Sequence, residues 1–532
     1  MKPKFLVLAT LTAAVLAMTG CGAAKKVMLP VHEAKMKSVK LDVISTYKTG
    51  VFDESAAEIT SYDKKTKTLF FVNAHAGKIE MLDISNPEMP KLKGSVDVAA
   101  NTGGAANSID IRNGLVAVAV EAKIKQNNGY VVFMNNKGEI LNKVTVGALP
   151  DMVKFSPDGK FVMTANEGEP NKNYSNDPKG SVSIIPVADV KSLKDSDVKT
   201  LTFDKAQFAN HPRISGPNAS PAQDVEPEYI AFSADSRFAF VSLQENNAIA
   251  RINLTNDKIV VKGLGYKDHS KIGNGLDAVK DGKALIKTYP LRGLYMPDAI
   301  ASATIGGKTY ILSANEGDGR EYGDYEDETK IGKVKLDYRD FKYAKQLQKE
   351  LKKTKILKDM GDFDNDGRYD ALYTMGGRSF TIWDAGINKV YDSGDFFERI
   401  GRAQNKKYFN TSNSKLKYDD RSPKKGPEPE GVETALIDGA WYAFIGLERV
   451  GGIVTYNISD VKKPRFVNYI NNRNFDAKVN KKGKYINPAE AGDLGPEGIH
   501  FIDASVSPNG QNILAVANEV SGTITLYSVT TR

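Results

Sequence analysis

The chain has 532 residues, with 73 Lys and Arg against 65 Asp and Glu, a formal net charge of +8, and 41% hydrophobic residues. That composition can bury a core and excludes a disordered chain, and a charge so small and so evenly spread carries no nucleic-acid footprint. A single cysteine, Cys21, excludes a disulfide framework.

At the start of the chain, Lys2 and Lys4 precede the apolar run FLVLATLTAAVLAM, and Thr19 and Gly20 lead into Cys21. A basic start, a short apolar centre and a small-residue exit describe a secretory signal peptide over residues 1–20. Its roughly 14 apolar residues fall short of the ~20 that a membrane span needs. The string MTGC resembles the lipobox of bacterial lipoproteins, which implies cleavage before Cys21 and a diacylglyceryl thioether on its sulfur. Residues 21–40 then read as the lipidated cysteine and a short basic tether, and residues 41–532 as the folded domain. The expected location is extracytoplasmic, membrane-anchored through the lipid on Cys21 in a bacterial cell envelope.

Internal repetition governs the rest. Five segments open with Pro and an acid before an apolar run: LPDMVKF at 149–155, EPEYIAF at 226–232, MPDAIAS at 296–302, EPEGVET at 428–434 and GPEGIHF at 495–501. Each is followed by a turn, a second β-rich run and a Glu, with 16, 17, 18, 18 and 22 residues between the two acids. That spacing fits a strand, a hairpin and an antiparallel strand. Turn residues such as SPDGK (156–160) and SPNGQ (507–511) lie between them. Weaker copies begin at Glu58, at Asn107 with Glu121, and at Asp370 with Arg378 near the place of the second acid. Only 343–353 has helical composition. Three- to four-stranded copies of this kind predict an all-β propeller with long loop insertions, eight blades favoured over seven, and the early strand 41–46 closing the ring on the last blade. The chain reads as a monomer.

If the Pro-acid pair opens the innermost strand and the second acid ends its neighbour, both sit at one end of the blade. Glu58, Glu121, Asp151, Glu167, Glu228, Glu245, Asp298, Glu316, Glu430, Glu448, Glu497 and Glu519 then converge on one mouth of the channel. Packed carboxylates raise one another's pKa unless a cation sits among them. Ca²⁺ is the expected ion, with room for a further divalent metal, and Asn166, Asn315 and Asn518 are expected to add neutral oxygens. Arg320, Arg378, Arg421 and Arg449 fall near these acids, where a guanidinium either grips an anionic ligand or neutralises its neighbours. His269, between Asp268 and Ser270, reads as a solvated loop residue rather than part of a triad.

A second calcium signal is independent of the ring. The run GDFDNDGRYD (361–370) places Asp362, Asp364, Asp366, Gly367 and Asp370 at positions 1, 3, 5, 6 and 9 of an EF-hand-like loop that also contains Arg368. Position 12 is Tyr373, so the usual bidentate Glu is missing or is supplied from elsewhere.

The strings ANEGDGREY (314–322), GLGYKDHS (263–270), GGRSFTIWDAG (376–386), GPEPEGVE (426–433), FIGLERVGGI (444–453) and GDLGPEGI (492–499) resemble the bacterial choice-of-anchor I proteins. The resemblance implies a secreted, surface-attached β-propeller whose attachment device varies between members. Such proteins are often labelled alkaline-phosphatase-like, and the domain is distantly similar to calcium-dependent propeller phosphatases and phytases. No catalytic residue set carries over. Two readings follow: a calcium-stabilised propeller that binds a small-molecule or envelope ligand at its acidic mouth, or a calcium-dependent phosphoesterase in which Arg378 or Arg320 clamps the phosphate.

Overall fold

The computed structural model describes residues 38–532; the signal peptide, Cys21 and the chain up to residue 37 lie outside the described residues. Local chemistry sets the strand breaks. In the turn after Phe155, the Asp158 carboxylate accepts from Ser156 Oγ at 2.8 Å and Gly159 takes φ +71°, a left-handed conformation suited to glycine. Short apolar strands on either side of such turns pair antiparallel, and the described residues form seven sheets of four or five strands.

We number these sheets as blades in chain order, each by its innermost strand. Blade 1 begins at Thr60–Asp63, blade 2 at Ala106–Arg112 and blade 3 at Pro150–Phe155. Blade 4 begins at Ile230–Phe232, blade 5 at Ile300–Ile305, blade 6 at Pro429–Ile437 and blade 7 at Pro496–Ile502. Each innermost strand touches that of the next blade, and the strand of blade 7 touches that of blade 1, so the ring is closed. Val39–Lys48 forms the outermost strand of blade 7, antiparallel to Thr523–Thr531, as the sequence anticipates for 41–46. The strand begins earlier than the tether boundary at residue 40 implies, and Val39 is core, only 3% exposed. Apolar side chains fill the space between blades, as where Met163 and Ala165 of blade 3 meet Val241 and Leu243 of blade 4. Each fully buried Val, Leu or Met side chain of this kind stabilises by about 1.5–3 kcal/mol.

The expected eighth copy is not a blade. Tyr373–Thr374 joins a three-stranded side sheet through Arg292–Leu294, and Ser379–Asp384 pairs with Lys308–Asn315 as the third strand of blade 5. The apparent repeat therefore straddles the end of an insertion and the strand that follows it. That insertion includes the helix Ala344–Glu350, where helical composition is read in the sequence, and a second helix, Phe396–Gln404, precedes blade 6.

Candidate functional site

Proline suits the first residue of a strand because it has no N–H to offer the ladder. In blades 3, 6 and 7 the acid after that proline sits on a β-bulge, with register shifts between Pro150 and Met152, Pro429 and Val432, and Pro496 and Ile499. Bulges re-aim side chains at strand ends, and these turn the acid toward the channel. The second acid is tied to the same place. The N–H of Glu167 donates to Leu149 O at 2.8 Å, that of Glu448 to Glu428 O at 2.9 Å and that of Glu519 to Gly495 O at 2.8 Å. Both acids of a copy thus share one end of the blade. Blade 2 supplies Asn107 in place of the first acid and blade 1 supplies Ala74 in place of the second.

The mouth is a cavity of about 550 Å³ lined by Asp298, Glu316, Glu430, Glu448, Glu519 and Arg449, among others. Below it a chamber of about 50 Å³ is lined by Asn107, Asp151, Asp298, Glu430 and Glu497. Tyr229 borders this chamber and also the next, of about 60 Å³, where Asp110, Lys154, Glu433 and His500 meet. The phenol therefore separates an all-acid level from one of mixed charge.

Carboxylate oxygens of Glu58, Glu497 and Glu519 all lie within 4.8 Å of one another, as do those of Asp298, Glu316 and Glu430, and those of Glu316, Glu428 and Glu448. Burial raises the pKa of Glu58 to about 8, with Glu519 and Asp151 adding repulsion, and raises Asp151 to about 6, with Glu169 adding to it. Burial and the neighbouring acids also hold Glu167, Glu228, Asp298, Glu430 and Glu497 well above the carboxylate range. Glu121 and Glu245 are raised too, mainly by burial. The Oε2 atoms of Glu228, Glu245, Glu430, Glu448 and Glu497 are shut off from solvent and have no hydrogen-bond partner. A buried acceptor left without a donor is costly.

Of the cations that neutralise these acids, Arg421 and Arg449 are anticipated from the sequence and act on their neighbours, while Lys425 and Lys125 are not anticipated. Lys425 is buried and holds Glu316 at 2.7 Å and Glu428 at 3.2 Å. Arg449 bridges Glu428 at 2.9 Å and Glu448 at 2.8 Å, and Arg421 also donates to Glu428 at 2.7 Å. Against its burial, Lys425, Arg421 and Arg449 hold the Glu428 carboxyl well below the usual range. Lys125 stands 3.8 Å from Glu121 and 3.7 Å from Glu169. Lys425 and Lys125 fall outside the repeat, on loops, so no spacing pointed to them.

Several expected contributors lie elsewhere. Arg378 is not at the mouth: it donates to Glu398 at 2.6 Å and to the carbonyls of Asp277, Ser422 and Lys424. Arg320 is spent on Glu226 at 3.1 Å and on Ser215 Oγ at 2.6 Å, behind the ring of acids. Asn166 and Asn315 face into their blades, Asn315 donating to Ser379 Oγ and Thr381 Oγ1, because adjacent residues on a strand point to opposite sides. Asn518 likewise donates to Thr523. His269 is buried, not solvated: Nδ1 meets Asn274 O at 2.6 Å, and burial beside Lys267 lowers its pKa to about 3.

The 361–370 loop stands apart, and none of its residues lines the mouth. Carboxylate oxygens of Asp362, Asp364 and Asp370 lie within 4.8 Å of one another around Gly367, which takes φ +80°. Asp366 and Asp364 also face Arg339, at 3.8 and 3.1 Å. The Arg368 guanidinium stacks 5.4 Å from the Tyr338 ring rather than entering the loop.

The model of the choice-of-anchor I domain matches residues 58–461. The chain belongs to the choice-of-anchor I family. Fold and family together describe a surface-associated β-propeller. Gigasin-3a of Magallana gigas is 29% identical over 173 residues, 31% of this chain, and the chain spans 60% of that relative's length. Among solved structures, Kuenenia stuttgartiensis hydrazine synthase aligns over 90% of this chain and 98% of its own at 13% identity, with a TM-score of 0.45. A streptogramin B lyase aligns over 93% and 98% at 10% identity with a TM-score of 0.44. The WD40 domain of Toxoplasma gondii coronin aligns over 92% and 88% at 7% identity with a TM-score of 0.42. The propeller assignment rests on the strand order itself.

Proposed function

We propose that this protein is a lipid-anchored, extracytoplasmic choice-of-anchor I propeller that binds an envelope ligand or partner at its acidic mouth through divalent cation, with calcium also held at 361–370. The observation that carries the reading is the set of buried carboxylate oxygens at the mouth that have neither solvent nor a donor. Oxygen-only donors of this kind suit a hard cation such as Ca²⁺, which takes six to eight oxygens. A bound ion would leave coordination positions open toward the 550 Å³ cavity for the ligand. The phosphoesterase reading loses support because both arginines assigned to the phosphate, Arg320 and Arg378, are committed to Glu226 and Glu398.

Two measurements test the reading. The full chain should bind Ca²⁺ calorimetrically and melt higher with calcium than with chelator, as a ligand of the folded state alone requires, while p-nitrophenyl phosphate stays intact under both conditions. Hydrolysis that follows calcium would move the protein to the phosphoesterase class. Cys21→Ser should shift the protein from the detergent phase to the aqueous phase without lowering its Tm; continued partition into detergent would overturn the lipid anchor.

A further inference from the structure

The ring is closed by a segment that crosses the mouth. After the outermost strand of blade 7 ends at Lys48, residues 49–58 run back along blade 7 and enter blade 1. The N–H of Thr49 donates to Gly522 O at 2.9 Å, and that of Asp53 to Val520 O at 2.7 Å. Contact is close enough that a Cβ on Gly498 would stand 2.4 Å from Glu58 O, and one on Gly522 2.3 Å from Val51 O. At this seam one carboxylate comes from the crossing segment, Glu58, and two from blade 7, Glu497 and Glu519.

This triad differs from its neighbours across the mouth. The Glu316–Glu428–Glu448 group holds its own cations in Lys425, Arg421 and Arg449. No lysine or arginine is paired with Glu58, Glu497 or Glu519 among the described residues; Arg449, which bears on Glu519 from a distance, is spent on Glu428 and Glu448. The Glu497 Oε2 atom is buried with no partner. Asp53 and Ser55, from the crossing segment, line the adjoining cavity and offer further oxygens. Calcium–oxygen bonds of about 2.3–2.6 Å let ligands on opposite sides of one ion lie up to roughly 5 Å apart, whereas the ~2.1 Å bonds of magnesium need a tighter set. Oxygens that all lie within 4.8 Å of one another are close enough for a single calcium ion to span.

We propose that a calcium-sized cation bound by Glu58, Glu497 and Glu519 clasps blade 7 to the segment that opens blade 1, so that closure of the ring depends on the ion. This rests on the reading of the mouth as a cation site and adds where the ion sits and what it holds.

Hydrogen exchange of the full-length Cys21→Ser protein, with Ca²⁺ as the only added ligand, reads the clasp directly. Opening that releases the ion should slow by the factor 1 + [L]/Kd, about tenfold when calcium is at ten times its Kd, in residues 39–58 and 496–502. Glu497→Gln and Glu519→Gln should abolish that protection without lowering the Tm in chelator, since each removes a charge from a repelling group. Asp364→Asn, in the 361–370 loop away from the mouth, should leave it intact. Protection that survives both glutamine variants but disappears in Asp298→Asn, elsewhere in the mouth, would overturn the clasp while keeping the mouth as a cation site. No calcium response at either wall would overturn both. Protection confined to 361–370 would do the same.

Discussion

The two walls of the mouth carry the same repeated acids and opposite electrostatics. On the side of blades 5 and 6, Glu316, Glu428 and Glu448 are gripped by Lys425, Arg421 and Arg449. On the side of blades 7 and 1, Glu58, Glu497 and Glu519 face one another without a paired cation among the described residues. The repeat sets where the carboxylates stand, and the loops between blades decide which of them are neutralised. The Glu316–Glu428–Glu448 triad is neutralised within the chain, whereas the Glu58–Glu497–Glu519 triad carries no paired cation of its own among the described residues.

The largest effect should come from breaking the neutralised triad. Lys425→Met leaves Glu316 and Glu428 buried without their shared partner, and should cost roughly 3–5 kcal/mol in denaturant unfolding, with calcium binding at the opposite wall preserved. The unpaired acids should behave in the reverse sense with pH. Glu58, with a folded pKa near 8, keeps its proton where the unfolded chain, with a value of 4.5, has lost it. Asp151 does so between 3.8 and about 6. These two groups therefore cost no stability below the unfolded values. Stability is lost as pH rises, and the loss levels off above about pH 6 for Asp151 and about pH 8 for Glu58. Melting in chelator should fall across that window, and calcium should flatten the curve. A curve equally steep with and without calcium would contradict cation binding at these acids.

A smaller effect of opposite sign is expected from Glu430→Gln. Neutralising a buried, repelled carboxylate should raise stability in chelator by on the order of 1–2 kcal/mol, measured by denaturant midpoint at constant m. The smallest change belongs to the 361–370 loop, whose acids are exposed or half-buried and where Asp364 and Asp366 face Arg339. Asp362→Ala with Asp364→Ala should alter calcium-free stability by less than about 1 kcal/mol while removing a weak calcium-binding step with Kd of about 10⁻⁴–10⁻³ M. Arg339→Ala should strengthen that step in calorimetry, because the guanidinium competes with the ion.

Much of this was legible in the chain. Pro-acid pairs such as Pro150–Asp151 and Pro496–Glu497 mark the inner strands, and their spacing to Glu167 and Glu519 places both acids at one end of a blade, as the backbone hydrogen bonds bear out. The ring closure through residues 41–46 could also be read. The copy at 370–386 misled because Asp370 belongs to an insertion while Ser379–Asp384 belongs to blade 5, and local pattern cannot tell which strand a segment joins. Arg320 and Arg378 stand near mouth acids in sequence, yet buried carboxylates outside the repeated acid pairs, Glu226 on the loop before blade 4 and Glu398 in the helix Phe396–Gln404, claim them. Lys425 sits three residues before Glu428 and five before Glu430, but its ion pair with Glu316 joins residues more than a hundred positions apart. Pairings of that kind are set by the folded ring and leave no local trace.

The outermost strand of blade 7 also gives the molecule a line of mechanical transmission. A pull on the chain ahead of Val39 is borne first by the ladder between Val39–Lys48 and Thr523–Thr531. The next element along the same covalent path is the crossing segment, which ends in Glu58. Tension that strips that ladder would draw Glu58 away from Glu497 and Glu519 before any other blade is loaded, so a tether under strain would change the mouth first and the rest of the propeller last.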